Sequence, residues 1–239
     1  MRRLITLGLL LFLGSANATS ILVVGSSTDL INAAAANISA TVSVGSITGT
    51  TDLSSFDMVF FRNGSGTIAG DAAANLASWT NSGGGLYVEL GAAFPGLDYS
   101  WVPTAGVTST AGNDPSSDQV TIADPGSDIV QFTNNDELDS WGYTGHGDFL
   151  TYGGLDVIIT NDATGRAVTL AGDQGLGRVI YNNIDAACCG LTSSHGGPAA
   201  VNLLTGSFAY LAGATIVPVP AAVWLFGSAL AGLGFLRRK

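Results

Sequence analysis

Short apolar runs alternate with alanine-rich segments over the first 90 residues, and this alternation constrains the fold more than any other feature of the chain. Apart from Asp57, residues 21–24 and 57–61 are aliphatic or aromatic runs of strand length, as expected for strands that are buried on both faces. Residues 29–38 and 69–80 have the alanine content and apolar spacing of helices, and Thr28 is placed to cap the first of them. Strands that alternate with helices of this length predict right-handed crossovers and a parallel sheet.

The same patterns continue less regularly along the rest of the chain. Further strands are predicted at residues 41–44, 86–90, 120–122, 129–132, 157–160, 167–170 and 177–181, and a final helix at residues 198–211. Gly, Asn, Asp, Ser and Thr are frequent between residues 106 and 147, which predicts a loop-rich second half. The predicted class is therefore α/β, with a doubly wound, mainly parallel sheet of the flavodoxin-like kind in one domain over residues 19–216.

The first 18 residues have the pattern of a secretory signal peptide. Arg2 and Arg3 precede an apolar run at residues 4–13, and Ala16 and Ala18 form an A-x-A cleavage site. We therefore expect export by the Sec machinery and removal of residues 1–18 by signal peptidase.

The last 23 residues have three parts in fixed order. The first part is Val217, Pro218, Val219, Pro220 and Ala221; the second is an apolar run over residues 221–236; the third is Arg237, Arg238 and Lys239. The uncharged run of 16 residues would be roughly 24 Å long as a helix, close to the thickness of a bilayer core, so we expect a transmembrane helix in the precursor. The basic end favours the cytoplasmic side.

This tail resembles the VPLPA variant of the PEP-CTERM sorting signals, with Val219 in place of the usual leucine. The resemblance implies that an exosortase cleaves the chain near residues 218–221, so that membrane anchoring is transient. The alternative interpretation is a permanent C-terminal anchor preceded by an accidental Val-Pro-Val-Pro spacer.

The charge of the core excludes some partners. All 18 acidic residues but only three basic ones, Arg62, Arg166 and Arg178, lie within residues 19–216, which gives this part a net charge of −15. Such a domain repels nucleic acid and anionic lipid. Its lack of lysine also removes Schiff-base chemistry from consideration.

Cys188 and Cys189 are the only cysteines, and they are adjacent. A domain stabilised by disulfides would have more of them and would space them apart, so the fold must depend on its apolar core. Two small thiols and a strained disulfide between neighbours both remain open.

Three segments resemble the class I glutamine-amidotransferase-like superfamily and its trehalose-utilisation-like branch. They are residues 21–25, the Gly-Gly-Gly-Leu-Tyr-Val-Glu-Leu-Gly stretch at 83–91, and Gly-Arg-Val-Ile-Tyr at 177–181. In that superfamily the turn after the glycine-led strand presents a reactive Cys or His. The corresponding position here is Leu90, which can neither attack a carbonyl nor move a proton. The resemblance therefore implies the fold and argues against the activity.

The carboxyl ends of the predicted parallel strands should bring several polar residues together, since ligands bind at that edge of an open sheet. Ser26, Arg62 and Asn63 are candidate ligand-binding residues there, and Glu89 is a weak candidate acid or base. The alternative for Glu89 is a structural carboxylate, and Arg62 would then pair with Glu89 or Asp57.

His146 and His195 lie in glycine-flanked segments and are the other weak catalytic candidates, although a solvated role is the simpler interpretation. The acidic stretch at residues 134–139 offers oxygen ligands for calcium, but it lacks the spacing of a calcium-binding loop. The sequence thus specifies no cofactor, and calcium binding at this stretch stays open as an alternative.

Two main functional hypotheses follow from these patterns, and a third, a permanently membrane-anchored adhesin, corresponds to the permanent anchor described above. The first is an exported surface or extracellular-matrix protein that an exosortase processes, with a non-catalytic binding or structural core and an exopolysaccharide as a candidate partner. The second is an envelope hydrolase or carbohydrate-active enzyme that uses Glu89 with His146 or His195 at the sheet edge. It requires these groups to lie within hydrogen-bond reach of one another.

Overall fold

The computed structural model describes residues 18–25, 28–62, 68–90, 98–110, 119–139, 147–187, 191 and 196–213. The elements in chain order are β1 (Ser20–Val24), α1 (Asp29–Asn37), β2 (Thr41–Val44), β3 (Met58–Arg62), α2 (Gly70–Asn81), β4 (Gly85–Glu89), β5 (Val107–Ser109), β6 (Val120–Ile122), a 3-10 helix (Asp128–Val130), α3 (Asn135–Asp139), β7 (Phe149–Tyr152), β8 (Asp156–Asn161), β9 (Ala167–Gln174), β10 (Gly177–Asn182) and α4 (Gly197–Leu211).

Eight of these strands form one mixed sheet in the order β2-β1-β3-β4-β10-β9-β8-β6. Along this order, β2, β1, β3, β4 and β10 form a parallel part of the sheet. The strands β10, β9, β8 and β6 form an antiparallel part, so β10 belongs to both. β5 and β7 form a separate two-stranded sheet. The α/β class and the mainly parallel sheet are confirmed, and the sheet has an antiparallel extension as well.

The helices pack on both faces of the large sheet. Side chains of α1 and α4, such as Leu30 and Phe208, join the core on one face, while Leu76 of α2 joins the core on the other. The chain passes from β1 through α1 to β2 on one side, and from β3 through α2 to β4 on the other side. The winding therefore reverses between β1 and β3, and the carboxyl ends of these strands are where a ligand crevice is expected.

The element predictions are confirmed with small shifts in their bounds, with one exception. Residues 129–132 were expected to form a strand, and this is wrong: Asp128–Val130 is a 3-10 helix. Ile129 and Val130 are both buried in the same core cluster, so the segment lacks the alternation of a strand. The Ser127 hydroxyl accepts a hydrogen bond from the Ile129 N–H and so caps the turn.

Three short elements, β5, β7 and α3, were not expected from the sequence. Thr28 does occupy the position before α1, but its side chain makes no capping hydrogen bond; only its carbonyl oxygen accepts one, from the Asn32 N–H. Within the described part of the chain no helix is both long enough and apolar enough to cross a membrane. The expected transmembrane segment of the tail lies outside the described residues.

Candidate functional site

A layer of polar side chains lies at the carboxyl edge of the parallel strands. Arg62 ends β3, Glu89 ends β4 and Asn182 ends β10, and the strand register places Glu89 between the other two. Side chains on a strand alternate between faces, so Glu89 lies on the same face as Tyr87, two residues earlier. The ring of Tyr87 stacks on Phe60 at 4.7 Å and forms an apolar floor beneath the polar layer.

Arg62 is held between two carboxylates. Its Nε lies 3.0 Å from Glu89 Oε1, and its Nη2 donates a hydrogen bond to Asp185 Oδ1 in the loop after β10. The Ala187 N–H also donates to Glu89 Oε1, at 3.1 Å. The Glu89 side chain is fully buried, whereas those of Arg62 and Asp185 are 23% and 13% exposed. We call Arg62, Glu89 and Asp185 the edge cluster.

Several polar atoms of this edge are buried without a hydrogen-bond partner among the described residues. They are Glu89 Oε2, Arg62 Nε and Asn183 Nδ2. Arg62 Nε lies close to a carboxylate oxygen, but its N–H is not directed at that oxygen. Unpaired buried polar atoms cost free energy, and the described residues alone do not satisfy these three atoms.

Burial dominates the protonation of Glu89. Burial, and then the nearby Asp185 carboxylate, raise the pKa of Glu89 to about 8, although Arg62 and the N–H groups of Ala187 and Ala186 oppose the change. Burial acts to lower the pKa of Arg62, but the Glu89 and Asp185 carboxylates outweigh it and raise that pKa. Burial and Asp185 thus favour the protonated form of Glu89, whereas Arg62 favours the carboxylate form.

Asn182 connects the edge cluster to the sheet below. Its amide nitrogen donates to the Tyr87 hydroxyl at 2.8 Å and to the Ile184 carbonyl at 2.7 Å, and its amide oxygen accepts from the Thr169 hydroxyl. Tyr99, which lies beyond β4, donates its hydroxyl proton to Asn183 Oδ1 at 2.6 Å. These bonds fix the loop that carries Asp185.

Leu90 is a core residue. Its side chain is 1% exposed and packs with Leu86 and Val88 in the apolar cluster on the α2 face, so it continues the alternation of β4. Its N–H donates to the Asn182 carbonyl at 3.3 Å. Among the described non-glycine residues only Ser39 has a positive φ, so Leu90 does not sit on the strained turn that exposes a nucleophile.

The structure brings together only part of the predicted site. Arg62 pairs with Glu89, which was one of the two partners expected for it. The other expected partner, Asp57, is wrong, because Asp57 accepts hydrogen bonds from the Ser20 N–H and hydroxyl instead. Ala18 is exposed just before β1. The following residues lie outside the described ranges: Ala16, Ser26, Asn63, His146, Cys188, Cys189, His195, residues 217–221 and residues 237–239.

Three further polar residues of this edge were not expected from the sequence: Asp185, Asn182 and Asn183. They follow or end β10, a strand that was expected, and polar residues at the carboxyl end of a parallel strand point to the ligand edge of a sheet. That signal was present, but the position of β10 beside β4 was not evident from the order of elements along the chain.

The acidic stretch at residues 134–139 serves local structure. Asn134 Oδ1 accepts from the Glu137 N–H, and Asn135 Oδ1 accepts from the Ile122 N–H, which attaches α3 to β6. Within the described ranges, no group of three or more His, Cys, Asp and Glu side chains could hold a metal ion.

The fold is similar to that of a solved ThuA-like protein and of several other solved structures. The chain matches cytoplasmic protein STM3548 from Salmonella typhimurium with a TM-score of 0.57 at 12% identity, over 81% of this chain and 98% of that one. It matches a ThuA-like protein from Parabacteroides merdae with a TM-score of 0.52 at 13% identity, over 85% and 93%. A β-galactosidase from Rahnella sp. R3 gives 0.55 at 10% identity, over 80% of this chain and 31% of that enzyme.

No protein-family model matches the sequence, and the comparison with curated proteins finds no match. At these identities the structural similarities establish the fold and not an activity.

Proposed function

We propose that this chain is an exported bacterial protein of the cell surface or extracellular matrix, whose C-terminal sorting signal is processed by an exosortase. The observation that carries the proposal is the order of the tail: a Pro-containing motif at residues 217–221, an uncharged apolar run, and three terminal cations. The signal-peptide pattern at residues 1–18 supports the same route, because it directs the intervening domain across the membrane. The partners on this route are the Sec machinery, signal peptidase, the exosortase and, transiently, the membrane.

The core domain, in this proposal, has a binding or structural role without catalysis. Its support is the burial of Leu90 at the position where the superfamily presents its reactive residue. Without a nucleophile or a base at this position, the acyl-transfer step has no reacting group.

Intact-mass measurement of the protein recovered from its native host tests the processing. We expect a mature N-terminus at Thr19 and a C-terminus at or near Pro220, with any attached group visible as added mass. A protein that retains Lys239 would contradict the proposal and indicate a permanent anchor.

A pair of variants separates recognition of the motif from general damage. Pro218→Ala combined with Pro220→Ala should leave the precursor tail uncleaved and the protein in the membrane fraction. Pro125→Ala removes a proline from an exposed turn of the core and should be processed as the wild type is. Equal processing of both variants would count against recognition of residues 217–221.

A second candidate function is an envelope hydrolase or carbohydrate-active enzyme with its site at the edge cluster. Two observations favour it: the pKa of Glu89 is near 8, and its Oε2 has no hydrogen-bond partner among the described residues. A buried carboxyl that titrates near neutral pH can serve as a general acid or base. Against it, the Glu89 carboxyl group is fully buried and contacts Arg62. Hydrolysis of polysaccharide or ester substrates that is abolished in Glu89→Gln but retained in Glu137→Gln would support the enzyme.

A further inference from the structure

A cavity of about 400 Å³ lies at the amino edge of the sheet, opposite the edge cluster. It is bounded by the segments that precede β3 and β4 and by the C-terminal ends of α2 and α4. Its volume falls within the range of small-molecule sites. It is separate from the edge at which ligands of open parallel sheets usually bind.

Two half-buried aromatic side chains, Trp79 and Phe56, line this cavity. The indole of Trp79 lies directly against Gly84, where an added Cβ would come within 2.4 Å of the ring. The backbone thus fixes the position of the indole before any ligand binds. A rigid aromatic ring offers a large contact area at little cost in conformational entropy.

The polar groups of the cavity are a carboxylate and hydroxyls. Asp57 is held in place because its Oδ2 accepts hydrogen bonds from the Ser20 N–H at 2.8 Å and the Ser20 hydroxyl at 2.9 Å. These bonds leave its other oxygen, Oδ1, to accept from a ligand. Ser54 and Ser82 also line the cavity, and the Ser82 hydroxyl donates to the Ser78 carbonyl, so towards a ligand it can act as an acceptor.

The charge of the cavity restricts its ligand. None of the described residues that line it is basic, although Arg178 lies close to its α4 end, where it donates to the Tyr210 carbonyl. The core around the cavity carries a net charge of −15, so anionic ligands are disfavoured. Aromatic rings beside a carboxylate and hydroxyls match a ligand with apolar C–H faces and several hydroxyl donors. A pyranose ring has both.

We propose that this cavity binds a neutral hexose unit of a polysaccharide. The proposal rests on the binding role proposed for the core, but it is independent of exosortase processing and of the edge cluster. In it, Trp79 stacks on the sugar ring and Asp57 Oδ1 accepts a hydrogen bond from a sugar hydroxyl.

Calorimetric titration of the full chain in an uncharged, sugar-free detergent tests the site. The probes are maltotetraose, mannotetraose and galactotetraose. We expect saturable binding of at least one of them, and an affinity at least about tenfold lower in Trp79→Leu, since a stacked aromatic contact contributes on the order of 1 kcal/mol or more. Trp101→Leu removes a half-buried indole that packs on Phe61 elsewhere, and it should bind as the wild type does.

A second pair of variants covers the case in which Trp79→Leu does not fold. Asp57→Asn keeps an oxygen that can accept from Ser20 but weakens the contact with the sugar, so we expect at least about a threefold lower affinity. Asp29→Asn makes the same charge change at an exposed position on α1 and should leave the affinity unchanged.

Absence of binding to all three oligosaccharides would overturn the proposal. Undiminished binding in both Trp79→Leu and Asp57→Asn would overturn it as well, because the sugar would then bind elsewhere. The terminal masses measured in the native host are independent of either result, so a failed sugar site and failed processing are distinguishable.

Discussion

Glu89 ends β4 at the carboxyl edge of the sheet, where it contacts Arg62. A carboxyl group that ends a strand beside a loop is usually hydrated or paired in a way that keeps it ionised. Here the side chain is fully buried, and burial outweighs the attraction of Arg62. The proton is therefore held more tightly in the folded chain than in the unfolded one.

This difference predicts a pH-dependent stability. The pKa of Glu89 rises from 4.5 to about 8 on folding, so its favourable contribution is complete below about pH 4.5 and is lost as the pH rises through 8. We expect the free energy of unfolding to decrease from pH 5 to pH 9, as measured by urea denaturation, at up to about 1.4 kcal/mol per pH unit.

Glu89→Gln, which cannot ionise, should remove this decrease, whereas Glu137→Gln outside the edge cluster should keep it. A wild-type stability that rises over the same pH interval would show that Glu89 is ionised and that Arg62 dominates.

Leu90 gives a second prediction for a single residue. Because its side chain is 1% exposed in the core, Leu90→Ala should lower the free energy of unfolding by about 2–5 kcal/mol. Leu150 is 50% exposed, and Leu150→Ala should change stability by less than about 0.5 kcal/mol. Thermal or urea unfolding of both variants measures the difference, and a negligible loss in Leu90→Ala would argue against its role in the core.

At the scale of elements, α4 and the 3-10 helix approach each other unusually closely at Gly206. A Cβ on Gly206 would lie 2.2 Å from the carbonyl oxygen of Ile129, a backbone atom that cannot move aside alone. Gly206 therefore allows the two helices to pack, even though glycine lowers the propensity of an α-helix.

Gly206→Ala should accordingly destabilise the protein by about 1–3 kcal/mol, despite the better helix propensity of alanine. Gly70, at the start of α2, has no atom within 4 Å of such a Cβ, so Gly70→Ala should be neutral or slightly stabilising. The midpoints of urea unfolding compare the two, and equal midpoints would mean that α4 shifts without cost.

The contrast between α2 and the 3-10 helix also explains what sequence could and could not predict. α2 has buried Ala72 and Leu76 and half-buried Trp79 at helical spacing, so its pattern alone defines it. Ile129 and Val130 form an apolar pair too short to distinguish a strand from a turn of helix. Their conformation depends on α4, which is distant in sequence.

Only two of the three members of the edge cluster could be predicted from the sequence, because the third depends on a contact between distant parts of the chain. Arg62 and Glu89 end strands that follow each other along the chain, so their proximity followed from the βαβ pattern. Asp185 joins them only because β10 pairs with β4 across about 90 residues of sequence, and no local pattern reports such a pairing.

At the scale of the whole molecule, β10 lies between β4 and β9 and joins the parallel and antiparallel parts of the sheet. It is the last strand described, ending at Asn182, so every earlier strand precedes it in synthesis. Until β10 has been made, β4 and β9 each have one edge without a partner, and the two parts of the sheet have no strand to connect them. A chain made from its amino end therefore cannot complete this sheet before its last quarter appears, so the export proposed above would act on a domain whose sheet is still incomplete.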